Sequence, residues 1–274
     1  MLGPLQKGAA LADGASRMNL VTGSLRIAVT VALSVALLSA CADGTTPAAD
    51  PDSEQAYADT ELTPTVAPEV EPSPEAESYV ATATVPLVKA YKEPDAKRPF
   101  ATFEHPGPFG TPRVFLVQED AGDWIRVLLP MRPNGSEGWV RDDEVKLASN
   151  PYKIEVDLSD FRITAYRNDE EVVEAQAAIG TGGTPTPTGL FFTTILAKPE
   201  SSTSPYGKYA YGLSAYSEVL TSFAGGDGQV AIHGTNQPGL IGSEVSHGCV
   251  RVDNSTISKL ARLIPLGTPV RIHR

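Results

Sequence analysis

Residues 42–78 cannot join a hydrophobic core, and they divide the chain into an exported end and a folded end. The segment holds ten acidic residues, six prolines and no Lys or Arg. A segment of this composition buries too little apolar surface to offset the entropy lost on ordering. We therefore predict a disordered tether over 42–78, about 100 Å long if nearly extended. The tether is either a functional spacer or a passive linker, and both interpretations predict the same disordered structure.

The same segment explains most of the net charge. The chain carries 33 acidic and 22 basic residues, which gives a formal net charge of -11. Without the ten acids of the tether, 23 acidic residues face 22 basic ones, so the rest of the chain is nearly neutral. A nucleic-acid-binding protein needs a basic surface to neutralise phosphates. The charge balance therefore excludes nucleic acid as a partner.

The N-terminal part of the chain reads as an export signal. Ile27–Leu38 is an apolar run preceded by Arg17 and Arg26. The run suits the hydrophobic region of a signal peptide and is shorter than the roughly 18 apolar residues of a membrane-spanning helix. Glycines and an acidic residue before Met18 are unusual in such a leader, so we expect translation to begin at Met18.

The export signal ends in a cysteine. Leu38-Ser39-Ala40-Cys41 resembles the bacterial lipobox, in which the cysteine receives a lipid and becomes the mature N-terminus. This resemblance implies a signal peptide over 1–41 and a lipid anchor at Cys41 that holds the protein to the outer side of the membrane. A signal peptide without lipidation is the alternative. A disulfide between Cys41 and Cys249 suits an exported chain, but a modified and a reactive thiol explain the two positions better.

Residues 79–149 predict a small all-β module. Trp124–Leu129 has the composition of a strand, Asn134-Gly135 is a hairpin turn signal, and Gly138-Trp139-Val140 begins the returning strand. The segment resembles SH3-like modules, which implies a small β-barrel. Two roles remain open for it, gripping wall polymer or packing against the neighbouring domain.

Residues 150–274 predict a second β domain. Tyr152, Ile154, Val156 and Leu158 alternate with polar residues, as in a half-buried strand. A helix is predicted from a cap at Asp253 or Asn254 to a stop at Pro265 and Gly267. Many short strands with one short helix favour a β-sandwich or barrel over a parallel α/β sheet. Further strands are predicted at 161–166, 172–179, 190–196, 229–233 and 269–273.

One cysteine lies in a sequence suited to acyl transfer. His233 comes sixteen residues before Cys249, and His247-Gly248 comes directly before it. The thiolate is the nucleophilic form of cysteine, so a base must remove the thiol proton. Backbone N–H groups must then stabilise the oxyanion of the intermediate. The N–H groups of His247, Gly248 and Cys249 are the predicted donors.

The motifs "HGT" and "SHGCVR" resemble the signature of YkuD-type L,D-transpeptidases. The upstream segments "GTGGTPTPTG" and "YAYGLSAYS" also resemble that family, and the resemblance covers Tyr152 to Ile272. It implies a catalytic Cys249, a base at His233, and a backbone carbonyl of Gly234 that orients the imidazole. His247 is then structural or an oxyanion contributor. Ser246 and Arg251 are expected to contact substrate, although some relatives carry Asn at the second of these positions.

The resemblance also implies a reaction. Cys249 would attack the third residue of a peptidoglycan stem tetrapeptide, expel D-Ala and pass the acyl group to another stem as a 3→3 cross-link. Water as acceptor would make the chain an L,D-carboxypeptidase, and carbapenems are the expected covalent inhibitors. Tyrosines 206, 209 and 211 are either part of a lid or ordinary strand aromatics.

Other classes fit the sequence less well. A sortase pairs His, Cys and Arg, but its threonine-rich strand before the cysteine is absent and Arg251 lies too close to Cys249. A metal site formed by His233, His247 and Cys249 lacks a clear fourth ligand. No cofactor motif appears, so neither metal nor cofactor is expected. A wall-binding lipoprotein with an inactive domain remains the alternative to an enzyme.

Overall fold

The computed structural model describes residues 78–201, 203–222 and 226–274 of the 274-residue chain. The predicted signal peptide, Cys41 and all but the last residue of the tether lie outside these residues. The described part is mainly β, with a single α-helix, and it lies within one compact unit. This confirms the predicted fold class. None of its helices is both long and apolar enough to cross a membrane.

The first part of the described chain forms an antiparallel sheet of five strands, in the order β6-β5-β4-β1-β7. A separate hairpin, β2–β3, is joined to the sheet where Tyr91 bridges to Trp139. The strands are β1 (Ser78–Ala83), β2 (Leu87–Ala90), β3 (Ala101–Glu104), β4 (Val114–Asp120), β5 (Trp124–Leu128), β6 (Glu137–Arg141) and β7 (Val145–Asn150).

This module has its own core. Phe115, Ile125 and Val140 are fully buried in it, and Phe103 packs edge-on against Phe115. The predicted strand at 124–129 and the return strand at 138–140 correspond to β5 and β6. The SH3-like character of the module stays a prediction.

The second part of the chain is built around a mixed sheet of eight strands, in the order β10-β9-β8-β17-β12-β13-β14-β16. Two neighbouring pairs, β8 with β17 and β14 with β16, run parallel, and the others run antiparallel. A short parallel pair, β11 with β15, lies beside it. The strands are β8 (Tyr152–Asp157), β9 (Arg162–Arg167), β10 (Glu170–Gln176), β11 (Ile179–Gly180), β12 (Gly189–Ala197), β13 (Ala210–Tyr216), β14 (Gln229–His233), β15 (Glu244–Ser246), β16 (Val250–Arg251) and β17 (Pro269–His273).

The hydrophobic pattern predicted most of these strands. β14 and β17 have the predicted bounds, and Ile154, Val156 and Leu158 are buried as the alternation required. The sequence missed β13, β15 and β16. These are short or contain Gly and Ser, so they give little alternation of their own.

The single helix, α1 (Asn254–Leu263), follows β16 directly. Asp253 caps it by accepting hydrogen bonds from the backbone N–H groups of Ser255 (2.7 Å) and Thr256 (2.9 Å). Ile257 and Leu260 are fully buried against the larger sheet. This confirms the predicted helix and settles its cap on Asp253.

The two sheets pack directly on each other. Val80, Val114, Leu116 and Leu128 of the first module form an apolar cluster with Phe192 of β12. Gly267 contacts Val80 so closely that a Cβ atom at position 267 would overlap the valine side chain. These contacts favour the second of the two roles left open for the module, packing against its neighbour. The division into domains 79–149 and 150–274 itself stays a prediction.

Candidate active site

Parallel pairing of β14 with β16 brings the two catalytic candidates together. Ile232 lies opposite Val250, and His233 lies opposite Arg251. Ile232 and Val250 are fully buried in the core. Because side chains alternate along a strand, His233 and Arg251 share the other face. Cys249 precedes β16 by one residue, and its sulfur is hydrogen-bonded to the backbone of Ala231.

His233 is held in one tautomer by its own backbone. The residue is 3% exposed, and its Nδ1 lies 2.6 Å from the carbonyl oxygen of Gly234. A carbonyl only accepts hydrogen bonds, so Nδ1 carries the proton and Nε2 is left as the basic nitrogen. Burial lowers the pKa of His233 to about 4, the Gly234 carbonyl opposes this, and nearby Arg251 adds to it. The imidazole is therefore neutral near pH 7 and can accept a proton.

Cys249 is half-buried and carries a free thiol. Burial raises the pKa of the Cys249 thiol, while the Ala231 backbone and the Arg251 guanidinium act in the opposite direction. A protonated thiol and a neutral imidazole differ from a preformed thiolate–imidazolium pair. With the neutral thiol and imidazole, the proton must leave sulfur as the bond to the acyl carbon forms.

Ser246 shapes the turn that presents Cys249. Its buried hydroxyl donates to the carbonyl of Cys249 (2.6 Å) and accepts from the N–H of Gly248 (3.1 Å). Ser246 therefore helps to hold this turn, and its predicted contact with substrate stays a prediction. The Gly248 N–H, one of three predicted oxyanion donors, is already engaged in this conformation. Gly248 has a φ of 113°, a region that favours glycine, although a Cβ atom there would meet only ordinary contacts.

The Gly180–Gly189 motif packs against this turn. Thr181 donates its N–H to the carbonyl of Ser246 (3.0 Å), and the hydroxyl of Thr184 donates to the same oxygen (3.2 Å). Thr186 accepts the N–H of Gly180, where a Cβ atom would collide with the backbone of Thr184. The motif therefore supports the cysteine turn from the side.

Arg251 carries an unsatisfied donor near His233 and Cys249. Its Nε is the only buried side-chain nitrogen or oxygen of the described residues that lacks a hydrogen-bond partner. Its charge lowers the pKa of both His233 and Cys249, so the guanidinium lies close to both. A buried donor without a partner is costly, and an anionic substrate group would satisfy it.

The segment before β13 contacts His233. Tyr206 lies edge-on to His233, with ring centroids 5.0 Å apart, and remains partly exposed. Asn254 joins this segment to the end of β14, because it accepts the N–H of Lys208 (3.0 Å) and donates to the carbonyl of Thr235 (2.9 Å). Sequence reasoning considered Asn254 only as a helix cap and missed this contact, which depends on residues far apart in the chain.

The three tyrosines of this region have different roles. Tyr211 is fully buried in β13, and its hydroxyl donates to the carbonyl of Ile264 (2.7 Å). Its burial raises the pKa of the phenol. Tyr211 is therefore a strand aromatic, Tyr209 is partly buried against the same core, and Tyr206 makes the ring contact with His233.

Among the described residues, no group of three His, Cys, Asp or Glu side chains lies close enough to hold a metal ion. His247 is exposed on the turn before Cys249. The site therefore consists of a thiol, an imidazole, a guanidinium and backbone groups. This is a set of groups suited to acyl transfer.

Comparison with known proteins agrees with this chemistry. The family model YkuD, an L,D-transpeptidase catalytic domain, matches residues 151–272. A Bacillus subtilis (strain 168) protein named as an L,D-transpeptidase, YkuD, is 34% identical over 124 residues, which cover 45% of this chain and 67% of that protein. The chain belongs to the YkuD family. Its described residues thus include an L,D-transpeptidase catalytic domain, and the catalytic roles of Cys249 and His233 stay predictions.

Two further similarities extend the comparison. An Escherichia coli (strain K12) protein named as an L,D-transpeptidase, ErfK/SrfK, is 34% identical over 134 residues, 43% of each chain. The solved structure of an L,D-transpeptidase from Mycobacterium smegmatis is 16% identical, covering 57% of this chain and 80% of that one, with a TM-score of 0.38. A structural similarity at that TM-score supports no further inference.

Proposed function

We propose that this YkuD-family protein is a cysteine L,D-transpeptidase that forms 3→3 cross-links between peptidoglycan stems. The observation that supports the proposal is the pairing of β14 with β16, which brings the strand that ends at His233 against the residues that follow Cys249. The imidazole of His233 has its Nδ1 fixed by the carbonyl of Gly234. The donor is a stem tetrapeptide, and the acceptor is the side-chain amine of a diamino acid in another stem.

In the proposed first step, Cys249 Sγ attacks the carbonyl carbon of the third stem residue while its proton passes to Nε2 of His233. The N–H groups of His247 and Cys249 stabilise the oxyanion, because that of Gly248 is donated to Ser246. When the tetrahedral intermediate collapses, the amine of D-Ala takes the proton from His233 and leaves. The thioester remains on Cys249.

In the second step the acceptor amine attacks the thioester and gives its proton to His233. The new amide forms, and the thiolate of Cys249 takes that proton back, which regenerates the enzyme. Water in place of the amine would release a tripeptide, the L,D-carboxypeptidase reaction. The unsatisfied Nε of Arg251 supports a role in binding a carboxylate of the donor.

We further propose that the protein acts outside the membrane. Residues 1–41 would be the signal peptide, the lipid on Cys41 the anchor, and residues 42–78 the tether. The folded residues 79–149 and 150–274 would then reach the wall at a distance from the membrane. Carbapenems are the proposed covalent inhibitors, since a strained lactam carbonyl resembles an acyl donor.

The test uses the purified chain with disaccharide tetrapeptides, and mass spectrometry of the products. We expect cross-linked dimers and free D-Ala from the wild type and none from Cys249→Ser, because a serine hydroxyl is far less ionised than a thiol beside the same base. His247→Ala is the control and should retain activity. Cross-linking by Cys249→Ser at the wild-type rate would contradict the mechanism, and tripeptide alone would indicate the carboxypeptidase.

A further inference from the structure

One side chain of the first module binds a connection between two strands of the catalytic domain. Arg132, in the turn between β5 and β6, donates from Nη1 to the carbonyl of Ser217 (2.5 Å). Its Nη2 donates to the carbonyls of Leu220 (3.0 Å) and Asp227 (2.8 Å). All three acceptors belong to the connection between β13 and β14, of which 217–222 and 226–228 are described.

Neighbouring contacts make this attachment specific. The side-chain amide of Asn134 pairs with the N–H and the carbonyl of Tyr216, both at 2.8 Å. The hydroxyl of Tyr216 donates to the carbonyl of Pro130 (3.1 Å), and the Arg132 guanidinium lies 5.0 Å from the centre of the Tyr216 ring. The turn of the module is thus bound to the last residue of β13.

The connection bound by Arg132 leads directly into the catalytic strand. Gly228, whose φ is 79°, leaves no room for a Cβ atom between itself and Leu220, and Arg132 Nη2 would lie 3.0 Å from such an atom. β14 begins at the next residue. Ala231 of β14 contacts the sulfur of Cys249, and His233 ends the strand.

We propose that Arg132 is a positioning residue for the catalytic pair, acting from the first module through the start of β14. This inference depends on the proposed roles of Cys249 and His233. The residues that Arg132 contacts next to β14, Asp227 and Gly228, lie five or more residues before His233. At 3.3 Å per residue this separation is about 17 Å, so Arg132 does not touch the reacting atoms. Three carbonyls of one connection converge on its planar guanidinium, a geometry that a lysine cannot reproduce.

The proposal gives the module a function beyond packing. Without the guanidinium, three carbonyls of the connection between β13 and β14 lose their donor, and β14 can shift along its neighbours. A shift of about 1 Å at a reacting group can cost on the order of 100-fold in rate. The rest of β14 remains paired with β13 and β16, so we expect a smaller effect.

The experiment compares Arg132→Ala, Arg132→Lys and the control Arg126→Ala in the full chain. Arg126 pairs with Glu119 and Glu137 inside its own sheet. Acylation by meropenem is followed by mass spectrometry of the peptide that contains Cys249. The saturating first-order rate constant and the half-saturating concentration are determined separately.

We expect Arg132→Ala to lower the saturating rate constant on the order of tenfold, with the half-saturating concentration within twofold of wild type. Arg132→Lys should recover part of the loss, and Arg126→Ala should match the wild type. A purely structural role would reduce the fraction of protein that reacts and leave the rate constant unchanged. An unchanged rate constant in both Arg132 variants would overturn the proposal.

Two other outcomes also decide the question. If Arg132→Ala does not fold, Arg132→Lys and Asn134→Ala are compared with Arg126→Ala by the same rate constant. If the wild type takes no meropenem, the proposed function fails. The inference is then tested by alkylation of Cys249 with iodoacetamide, whose rate should change at least about threefold in Arg132→Ala because the Ala231 contact is disturbed. Equal alkylation rates would overturn it.

Discussion

At the scale of single residues, the site is tuned by burial more than by charge. His233 is almost completely buried, and that burial is the main reason its pKa falls to about 4. Burial also raises the pKa of the Cys249 thiol. Both shifts favour the neutral forms of the two groups. Near pH 7 most molecules therefore hold a protonated thiol and a neutral imidazole, the forms that general-base catalysis requires. The hydrogen bond to Gly234 leaves Nε2 as the nitrogen that can accept a proton.

This shift predicts the acid limb of the pH profile. Because the pKa of His233 is lowered to about 4, its imidazole stays an unprotonated base until the pH falls to that range. We expect the rate of Cys249 acylation to be nearly constant from pH 7 to pH 5 and to halve near pH 4. An ordinary histidine would show the same loss near pH 6.5.

The measurement is the saturating rate of carbapenem addition at each pH, with circular dichroism recorded to show that the chain stays folded. His247→Ala serves as the control and should keep the same acid limb. A half-loss near pH 6.5 in the folded protein would show that another group, or a solvent-exposed His233, is the base.

At the scale of elements, close backbone contacts hold the site together. Gly234 follows β14, and Gly207 belongs to the segment that carries Tyr206. Their backbones touch, and Asn254 of α1 contacts both. A strand end, a loop and a helix start therefore meet at one point beside His233. A glycine after the histidine is needed for this approach, in addition to offering a carbonyl to the imidazole.

We expect Gly234→Ala to disturb that meeting point. The added Cβ atom would overlap Asn254 Oδ1 and lie 3.0 Å from Ile257 Cγ2. Overpacking of this kind costs about 1–3 kcal/mol of unfolding free energy. The displaced Asn254 would also release the segment of Tyr206, so we expect acylation to slow on the order of tenfold.

Urea unfolding and the acylation rate measure the two effects. Gly239→Ala is the matched control, because a Cβ atom there meets nothing within 4 Å. It should stay within about twofold of the wild-type rate. If the two alanine variants behaved alike, the contact of Gly234 with Asn254 would have no role in the site.

At the scale of the whole molecule, two sheets with separate cores act as one compact unit. The apolar cluster around Phe192 and the hydrogen bonds of Arg132 join them at different places. The predicted tether and anchor would hold this unit at a distance from the membrane. Cys41 would then hold the chain to the membrane, and Cys249 would carry out the acyl transfer near the other end of the chain.

The anchor is tested in the producing cell. Metabolic labelling with a fatty-acid precursor should mark the wild type and leave Cys41→Ala unlabelled, because a thioether to the lipid requires the thiol. Cys249→Ala is the control and should be labelled like the wild type. Equal labelling of the wild type and Cys41→Ala, or no labelling of either, would remove the proposed lipoprotein.

The sequence by itself determined the class of fold and predicted the chemical groups of the site. Alternating apolar residues fix which face of β8 is buried, and Asp253 followed by an apolar stripe fixes α1, because both patterns depend on neighbours close in the chain. The spacing of His233 and Cys249 was readable for the same reason. The role of Ser246 in the turn, by contrast, could not be read from the sequence and became clear only when the structure showed its hydroxyl bonded to the carbonyl of Cys249.

Tertiary structure alone decided how these groups are arranged. The parallel register of β14 with β16, the approach of Gly207 to Gly234, and the reach of Arg132 to Asp227 join residues separated by tens of positions. No local sequence pattern encodes such contacts, because these residues would have the same strand and turn propensities if the strands paired in another register. The low pKa of His233 belongs with them, because it comes from burial that only the packed sheet and helix provide.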